Sequence, residues 1–233
     1  TVVCACGGVG AAPMLPIAEA LERAGNRVIT VLAARNKDLL ILQDELAQWS
    51  DEVIIMTDDG SAGQQGVVTV GVEQVIQRET VNKCITIGPA IMMKFVALTT
   101  QKYNIPTEAS LNTIMVDGTG MCGACRVTVG GKTKFVCVDG PEFDAHEVDW
   151  TEMLSRMKAF KAEEAEAMEA YKAGLNQLDT AKRRRKDGND TASTTKVGTV
   201  SPFEGKPKDR VAIPRVKMPE LRPEVRVKSL HEE

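Results

Sequence analysis

The sequence predicts an α/β fold, with a doubly wound, parallel five-stranded sheet followed by a small β-hairpin subdomain, a long helix and an extended tail. Runs of β-branched and aliphatic residues alternate with segments of helical periodicity over residues 1–111, which is typical of a parallel sheet covered on both faces. Three cysteines then follow one another closely in residues 112–150. The predicted strands are residues 1–6, 27–33, 52–57, 83–87 and 107–111, and the predicted helices between them are residues 14–24, 38–46, 72–77 and 90–101.

Composition and charge exclude several classes of protein. The chain has 233 residues, 43% of them hydrophobic, and a formal net charge of -3, so it can bury a core and has no general attraction for nucleic acid. No apolar run approaches the roughly 20 residues that span a bilayer. We therefore expect a cytoplasmic protein without nucleic acid or membrane partners, in which cysteines serve packing or metal binding.

A glycine-rich turn follows the first predicted strand. Within the motif GGVGAAP, Gly8 and Gly10 would let the backbone approach a pyrophosphate, and the following helix would offer free N–H groups to it. Pro13 suits the first turn of that helix, where its missing donor matters little. Because ligands of parallel sheets bind at the C-terminal ends of the strands, we expect nucleotide contacts among the residues there, which are Gly8, Arg35, Asp58, Asp59 and Gly88.

The segment DGTGMCGACRVTVGGKTKFVCVDG, residues 117–140, predicts an iron-sulfur cluster. Asp117, Cys122, Cys125 and Cys137 have the ligand spacing of a plant-type [2Fe-2S] site, with aspartate in place of the first cysteine. Thiolates suit iron, and a carboxylate can act as a harder fourth ligand. The glycines of the loop tolerate the positive φ angles at which backbone N–H groups can face a cluster.

A β-hairpin is predicted beyond the first two cysteines of this segment. Residues 126–129 and 133–138 read as two strands, and the Gly130-Gly131 pair between them is a strong turn signal. The hairpin would bring Cys137 back beside Cys125. The other cysteines, Cys4, Cys6 and Cys84, lie on predicted strands and are expected to be core residues.

Other interpretations of the cysteine segment remain open. Zinc could bind the three cysteines with a carboxylate or with His146, although the carboxylate set is uncommon in structural zinc sites. Cys122 and Cys125 could form a redox disulfide, although such a motif normally starts a helix after a strand. Asp117 could cap a turn instead of binding iron.

The C-terminal third changes in composition. Residues 151–186 contain no proline and a single glycine, and their helical period predicts one helix that packs at first and then projects into solvent. Residues 187–209 have the polar composition of a linker. Residues 210–233 combine prolines with basic and apolar residues, and we expect them to begin a further, incomplete domain.

Several motifs together resemble a known family. GGVGAAP, TDDGSAG after the third strand and GPAIMM after the fourth are similar to the nicotinamide nucleotide-binding half of the ferredoxin-NADP reductase superfamily. With the cysteine segment, they resemble electron-transfer subunits of the dihydroorotate dehydrogenase and sulfide dehydrogenase type, the latter including the small subunit of NADH-dependent reduced ferredoxin:NADP oxidoreductase. The resemblance covers about residues 1–150.

The resemblance implies the cofactors and a set of contacts. It implies NAD(P)H on the glycine turn, FAD on a β-barrel domain preceding Thr1, and a [2Fe-2S] cluster that exchanges single electrons with a partner subunit or ferredoxin. No catalytic residue is assigned, because Ile87 stands where many superfamily members have a cysteine. Arg35 near the adenosine ribose leaves the choice between NAD and NADP open. The implied nucleotide contacts are Gly7, Gly8, Val9, Gly10, Pro13, Arg35, Asp59, Gly88, Pro89 and Met92.

Two further features separate the possible functions. Subunits of the sulfide dehydrogenase type resemble this chain in having an aspartate at the position of Asp117, whereas the dihydroorotate dehydrogenase type has a cysteine. Residues 210–233 resemble the start of the flavoprotein small subunit of glutamate synthase, which implies such a partner, either separate or fused. We therefore expect an electron-transfer reductase fragment that is inactive alone. The alternatives are a dihydroorotate dehydrogenase electron-transfer subunit and a non-enzymatic docking module.

Overall fold

The computed structural model of the protein describes residues 1–186. The chain divides into two compact units, Thr1–Lys172 and Ala173–Glu233, and the fold described here is that of the first. The predicted linker, residues 187–209, and the predicted start of a further domain, residues 210–233, lie outside the described residues. No helix in the described part of the chain is long and apolar enough to cross a membrane.

A mostly parallel sheet forms the centre of the first unit. The strands are β1 Val2–Gly7, β2 Val28–Ala34, β3 Glu52–Thr57, β4 Gln64–Gln65, β5 Lys83–Ile87, β6 Thr107–Ser110, β7 Arg126–Val129, β8 Lys132–Phe135 and β9 Glu142–Asp144. The large sheet has the order β4-β3-β2-β1-β5-β6-β9, while β7 and β8 form a separate hairpin. Strands β3, β2, β1, β5 and β6 are parallel, which confirms the five predicted strands.

Helices cover both faces of this sheet. They are α1 Ala11–Arg23, α2 Gln43–Gln48, α3 Val68–Arg78, α4 Ala90–Lys102, α5 Val136–Asp139, α6 Trp150–Arg156 and α7 Lys161–Lys186. Alternate residues of β1 face opposite sides, because side chains alternate along a strand. Cys4 and Cys6 pack with α1 and α2, whereas Val3 and Ala5 pack with α3 and α4. The sheet is therefore doubly wound, as predicted.

The strand order places a topological switch point between β1 and β5. The chain runs outward from β1 through β2 to β3, and then returns to the other side of β1 for β5 and β6. Ligands of such sheets bind outside the carboxyl ends of the strands at this point. The turns that follow β1 and β5 are therefore the expected binding edge.

The structure adds two edge strands that the sequence did not predict. β4 has two residues and pairs with β3, and β9 has three residues and pairs antiparallel to β6. Both are too short to show the alternation that identifies a strand. The sheet therefore has seven strands.

The prediction of one helix over residues 151–186 is wrong, because the structure contains α6 and α7. Between them the backbone N–H groups of Lys158, Ala159 and Lys161 bond to carbonyls three residues earlier, which tightens the turn. Met153 of α6 is 1% exposed, whereas side chains 161–173 of α7 are exposed. The packed helix α6 and the exposed first part of α7 thus belong to separate elements.

One helix joins the sheet to the cysteine-bearing segment. Ala90, Met93 and Ala97 of α4 share a hydrophobic cluster with Val127 and Trp150. The N-terminal residue of α4 directly follows the Gly88-Pro89 turn at the switch point. Residues 112–150 are therefore packed against the same helix that begins at the expected nucleotide site.

Candidate functional site

The glycine turn after β1 is built by close backbone packing. Gly8 has φ +54°, in the left-handed region that favours glycine. A Cβ atom at Gly10 would lie 2.3 Å from the Ile87 carbonyl oxygen and 3.1 Å from the Gly88 Cα. The turns after β1 and β5 thus touch backbone to backbone, and a side chain at Gly10 would force them apart.

Met92 lies between the two turns. A Cβ atom at Gly7 would lie 2.5 Å from the Met92 sulfur, and one at Gly88 would lie 2.7 Å from the Met92 Cε. The structure therefore brings together Gly7, Gly10, Gly88 and Met92, as a shared site requires. Val9, which is 80% exposed, and the exposed residues Pro13 and Pro89 border the same turns.

Arg35 and Asp59 meet at the ends of β2 and β3. Arg35 is exposed directly after β2, and its carbonyl oxygen accepts a hydrogen bond from the Asp59 N–H at 3.3 Å. The Asp59 carboxylate accepts hydrogen bonds from the Ser61 hydroxyl at 2.6 Å and the Ser61 N–H at 2.9 Å. The Ser61 hydroxyl bond is the main cause of a lowered Asp59 pKa. Asp59 is therefore an anchor of its own loop, beside Arg35.

Asp117 is hydrogen-bonded within the cysteine loop. One carboxylate oxygen accepts from the Thr119 N–H at 2.9 Å, and the other accepts from the Cys122 N–H at 2.7 Å. These bonds, that of Thr119 first, lower the Asp117 pKa. The arrangement has the features of a turn cap, and it also holds the carboxylate beside Cys122, as a shared iron would require.

Cys125 and Cys137 form a second close pair. Their sulfur atoms are 3.3 Å apart, Cys125 is buried and Cys137 is half-buried. The contact with the Cys125 thiol is the main cause of a raised Cys137 pKa, because it favours the protonated form of Cys137. The predicted hairpin explains this proximity: Gly130 and Gly131 have φ +55° and +72°, and Val129 pairs with Lys132.

One detail of the hairpin differs from the prediction. β8 ends at Phe135, and Cys137 lies in the one-turn helix α5 instead of on a strand. The Asp139 carboxylate accepts the Phe135 N–H at 2.7 Å, which ends the ladder there. The hairpin turn nevertheless brings Cys137 close to Cys125, as predicted.

The donors of the loop fit a two-iron cluster better than a single metal ion. No group of three His, Cys, Asp or Glu side chains in residues 1–186 is close enough together to hold one metal ion. The donors instead fall into the pairs Asp117 with Cys122 and Cys125 with Cys137. Two ligands for each of two irons is what a [2Fe-2S] cluster requires. The loop glycines also have the expected positive φ, at Gly118, Gly120 and Gly123.

The other histidine and cysteine candidates have structural partners. His146 Nε2 lies 3.0 Å from the hydroxyl of the buried Thr100, so one imidazole nitrogen already has a packed threonine as its partner. Cys4, Cys6 and Cys84 are completely buried, which confirms them as core residues, and burial raises the pKa of Cys4 to about 12.

Three contacts near the loop were not predicted from the sequence. The Asn112 side-chain amide donates to the Gly88 carbonyl at 3.3 Å, and thereby links the cysteine segment to the switch point. Arg126 donates to the Gly123 carbonyl at 3.3 Å, and Arg156 donates to the Ala124 carbonyl at 3.1 Å. Asn112 and Arg156 lie outside the sequence motifs, and Arg126 lies within the cysteine segment without a spacing that marks its contact with Gly123.

Two domain families match the chain. Residues 5–98 match the oxidoreductase NAD-binding domain, and residues 112–149 match the iron-sulfur cluster binding domain of dihydroorotate dehydrogenase B. The first match contains the glycine turn and the turn after β5, and the second contains all four proposed cluster donors.

Similar proteins carry related names. A Thermotoga maritima protein named as a dihydroorotate dehydrogenase B (NAD(+)) electron transfer subunit homolog is 52% identical over 165 residues, which are 71% of this chain and 58% of that protein. A probable dihydroorotate dehydrogenase B (NAD(+)) electron transfer subunit of Methanocaldococcus jannaschii is 37% identical, over 68% of this chain and 58% of that protein. The chain thus spans little more than half the length of these relatives.

A solved structure agrees with these matches. One chain in the structure of an NADH-dependent reduced ferredoxin-NADP oxidoreductase, from work on flavin-based electron bifurcation, superposes with a TM-score of 0.67 and 48% identity. The match covers 73% of this chain and 61% of that chain. The chain therefore joins an oxidoreductase NAD-binding domain to an iron-sulfur cluster binding domain of the dihydroorotate dehydrogenase B type, and is similar over these domains to ferredoxin-NADP reductase-like proteins.

Proposed function

We propose that this chain is the nucleotide-binding and cluster-bearing part of an NAD(P)H-dependent flavoprotein reductase of the sulfide dehydrogenase type. The observation that carries the proposal is the position of α4. Its first turn follows Gly88 at the switch point, and its buried face packs against residues 112–150. One helix thus holds the nucleotide turn and the cluster loop in a fixed relation.

The nucleotide would lie across the turns after β1, β2, β3 and β5. The start of α1 would present the positive end of a helix dipole to the pyrophosphate. Arg35 would face the adenosine ribose, with Asp59 at the neighbouring loop, and Met92 would border the nicotinamide. The proposed contacts are Gly7, Gly8, Val9, Gly10, Pro13, Arg35, Asp59, Gly88, Pro89 and Met92.

The cysteine loop would hold a [2Fe-2S] cluster by two pairs of ligands. We assign Asp117 and Cys122 to one iron, and Cys125 and Cys137 to the other, because each pair is already close in the structure. The positive φ of Gly123 turns the chain between Cys122 and Cys125. The two pairs are thus brought to one loop by local backbone geometry.

A flavin is required between nucleotide and cluster. NAD(P)H gives two electrons as hydride, and a flavin, when bound, accepts hydride and passes electrons on singly, as a [2Fe-2S] cluster needs. We propose that FAD is held by a part of the whole protein outside this chain, and that the chain alone does not transfer hydride. The acceptor or donor would be ferredoxin or a flavoprotein subunit, separate or fused, similar to that of glutamate synthase.

The second candidate is the electron-transfer subunit of dihydroorotate dehydrogenase. The match of residues 112–149 and the names of the similar proteins favour it. Asp117 favours the first candidate, because the dihydroorotate dehydrogenase type has cysteine at this position.

Anaerobic reconstitution of the 233-residue chain with iron and sulfide tests the proposal. We expect an EPR signal of a reduced [2Fe-2S] cluster, and quenching of NAD(P)H fluorescence on binding that is retained after the cluster is removed. Adding back the flavin-carrying part of the whole protein should then give NAD(P)H-dependent reduction of ferredoxin, while dihydroorotate-dependent NAD+ reduction with a partner dehydrogenase would favour the second candidate. Cluster formation without nucleotide binding would instead support a docking module.

A further inference from the structure

We propose that Arg156 is a positioning residue of the cluster loop, whose guanidinium fixes the turn between Cys122 and Cys125 and keeps positive charge beside the cluster. This inference rests on the proposed function, because it assumes that the loop holds a [2Fe-2S] cluster. It concerns a residue outside residues 112–149, which match the cluster-binding family.

The Arg156 contact acts on the peptide that connects the two proposed ligand pairs. The Ala124 carbonyl accepts a hydrogen bond from the Arg156 guanidinium at 3.1 Å. The Ala124 N–H donates to the Cys122 sulfur at 3.4 Å. Fixing Ala124 therefore restrains Cys122 on one side and the peptide of Cys125 on the other.

Helix α6 gives Arg156 a rigid base. The Asp149 carboxylate caps α6 by accepting the N–H groups of Thr151 and Glu152 at 3.0 and 2.9 Å. The Trp150 indole donates to the Ala145 carbonyl at 2.9 Å, and Met153 is buried against α4. Arg126 also holds the loop, through Gly123, but it is only three residues away along the chain. Arg156 is the donor that ties the loop to a packed helix.

Packing does not replace this hydrogen bond. Ala124 and Arg156 both line a cavity of about 270 Å³, together with Thr113, Met153 and Met157. The loop is thus not close-packed against α6 at this point, and the guanidinium bridges the two. Removing the donor would leave the loop without its polar link to α6.

The charge of Arg156 is available to act on the cluster. In the described residues neither Arg126 nor Arg156 has a carboxylate oxygen within ion-pair distance. Three thiolates and a carboxylate around two ferric irons and two sulfides give a net negative group, which becomes more negative on reduction. A nearby uncompensated cation favours reduction, so Arg156 should raise the reduction potential.

Three variants of the full 233-residue chain separate these effects. R156Q removes the charge and the fork of donors, R156K keeps the charge, and K158Q removes one positive charge from the exposed turn two residues away without touching the loop. We measure amide hydrogen exchange of residues 122–126 in the metal-free chain, the rate of iron release from the reconstituted chain, and its reduction potential. Exchange in β1 serves as the internal reference for global unfolding.

We expect R156Q to speed loop exchange and iron release by roughly three- to tenfold over wild type, the range that one net hydrogen bond provides. R156Q should lower the potential, whereas R156K should speed loop exchange but leave the potential near that of wild type. K158Q should resemble wild type in loop exchange and iron release, and should shift the potential less than R156Q does.

The proposal is overturned if R156Q and R156K match K158Q in loop exchange relative to β1, or if R156Q leaves the potential no lower than K158Q does. A wild-type chain that takes up no iron would refute the proposed function separately. Loop exchange in the metal-free chain would still decide whether Arg156 fixes the Ala124 turn.

Discussion

The glycine turn after β1 and the cluster loop are built in different ways. The turn is made of backbone, with Gly10 so close to Ile87 that no side chain fits between them. The loop is held mainly by hydrogen bonds of polar side chains. Its Cys122 is exposed, and a cavity lies between Ala124 and helix α6. The first site is preformed by packing of the sheet, whereas the second relies on hydrogen bonds and on its metal. Substitutions should therefore damage the two sites by different physical routes.

The largest expected effect is loss of the cluster with nucleotide binding unchanged. We predict that C125S abolishes the [2Fe-2S] EPR signal, because it removes one member of the pair that lies 3.3 Å apart. NAD(P)H binding should stay unchanged, since the hydrogen bonds of Cys125 go to Thr113, Val136 and Cys137 and not to the glycine turns. The control is C84A, which removes a buried thiol from β5 and should keep the cluster. Equal iron content in C125S and wild type would show that the Cys125 thiolate is not needed as a cluster ligand.

The next effect tests the backbone-built site. We predict that G10A destabilises the chain by about 3 kcal/mol, since the new Cβ would meet the Ile87 carbonyl and neither backbone can yield easily. G8A should lower the free energy of unfolding by only about 1 kcal/mol, because a Cβ atom at Gly8 meets no other atom and the only strain comes from the positive φ. Urea unfolding measures both, and an equal loss of stability in the two variants would contradict the close contact of the turns.

Substitutions at Asp117 test whether its carboxylate binds iron or only caps the turn. If its carboxylate binds iron, D117C should keep the cluster and change the g values of the EPR signal, because a soft thiolate replaces a harder oxygen donor. D117N keeps an oxygen that can accept a loop N–H, and serves as the matched variant for the capping role. An EPR spectrum in D117C identical to that of wild type would assign Asp117 to the turn alone.

The smallest effect concerns the loop after β3. The Ser61 hydroxyl donates to Asp59, lowers the Asp59 pKa and accepts the Lys37 N–H at 2.8 Å. The pKa of Asp59 is lower in the folded chain than in the unfolded chain. The stability that the Ser61–Asp59 contact contributes is therefore fully present at pH values above the ordinary pKa of a carboxylate, and it is lost as the pH falls through the lowered pKa. We predict that S61A moves the Asp59 pKa back up, as NMR titration of the carboxyl carbon would show. An unchanged pKa in S61A would contradict the hydroxyl contact.

The sequence predicted the parts of the fold that depend on continuous local patterns. The five parallel strands are runs of β-branched and aliphatic residues, and the Gly130-Gly131 pair correctly indicated the hairpin that returns Cys137 to Cys125. The edge strands β4 and β9 are too short to carry a pattern. The break between α6 and α7 was missed because helical composition continues through it, while packing of residues such as Trp150 and Met153 distinguishes the first helix.

The same distinction holds for the candidate site. Glycine spacing and cysteine spacing are visible along the chain, because each motif is local. The contact of Arg156 with Ala124 joins residues 32 positions apart, and that of Asn112 with Gly88 joins residues 24 positions apart. Contacts of this kind depend on how α6 and α4 pack, so a single sequence contains no spacing that marks them.

Iron and sulfide analysis with EPR on the reconstituted chain tests the central claim most directly. The account predicts about two irons and two sulfides per chain, and on reduction the signal of a one-electron-reduced [2Fe-2S] cluster. It also predicts that the signal disappears in C125S while NAD(P)H binding persists. Tight binding of a single zinc ion, or an iron content near zero in a folded chain, would contradict it.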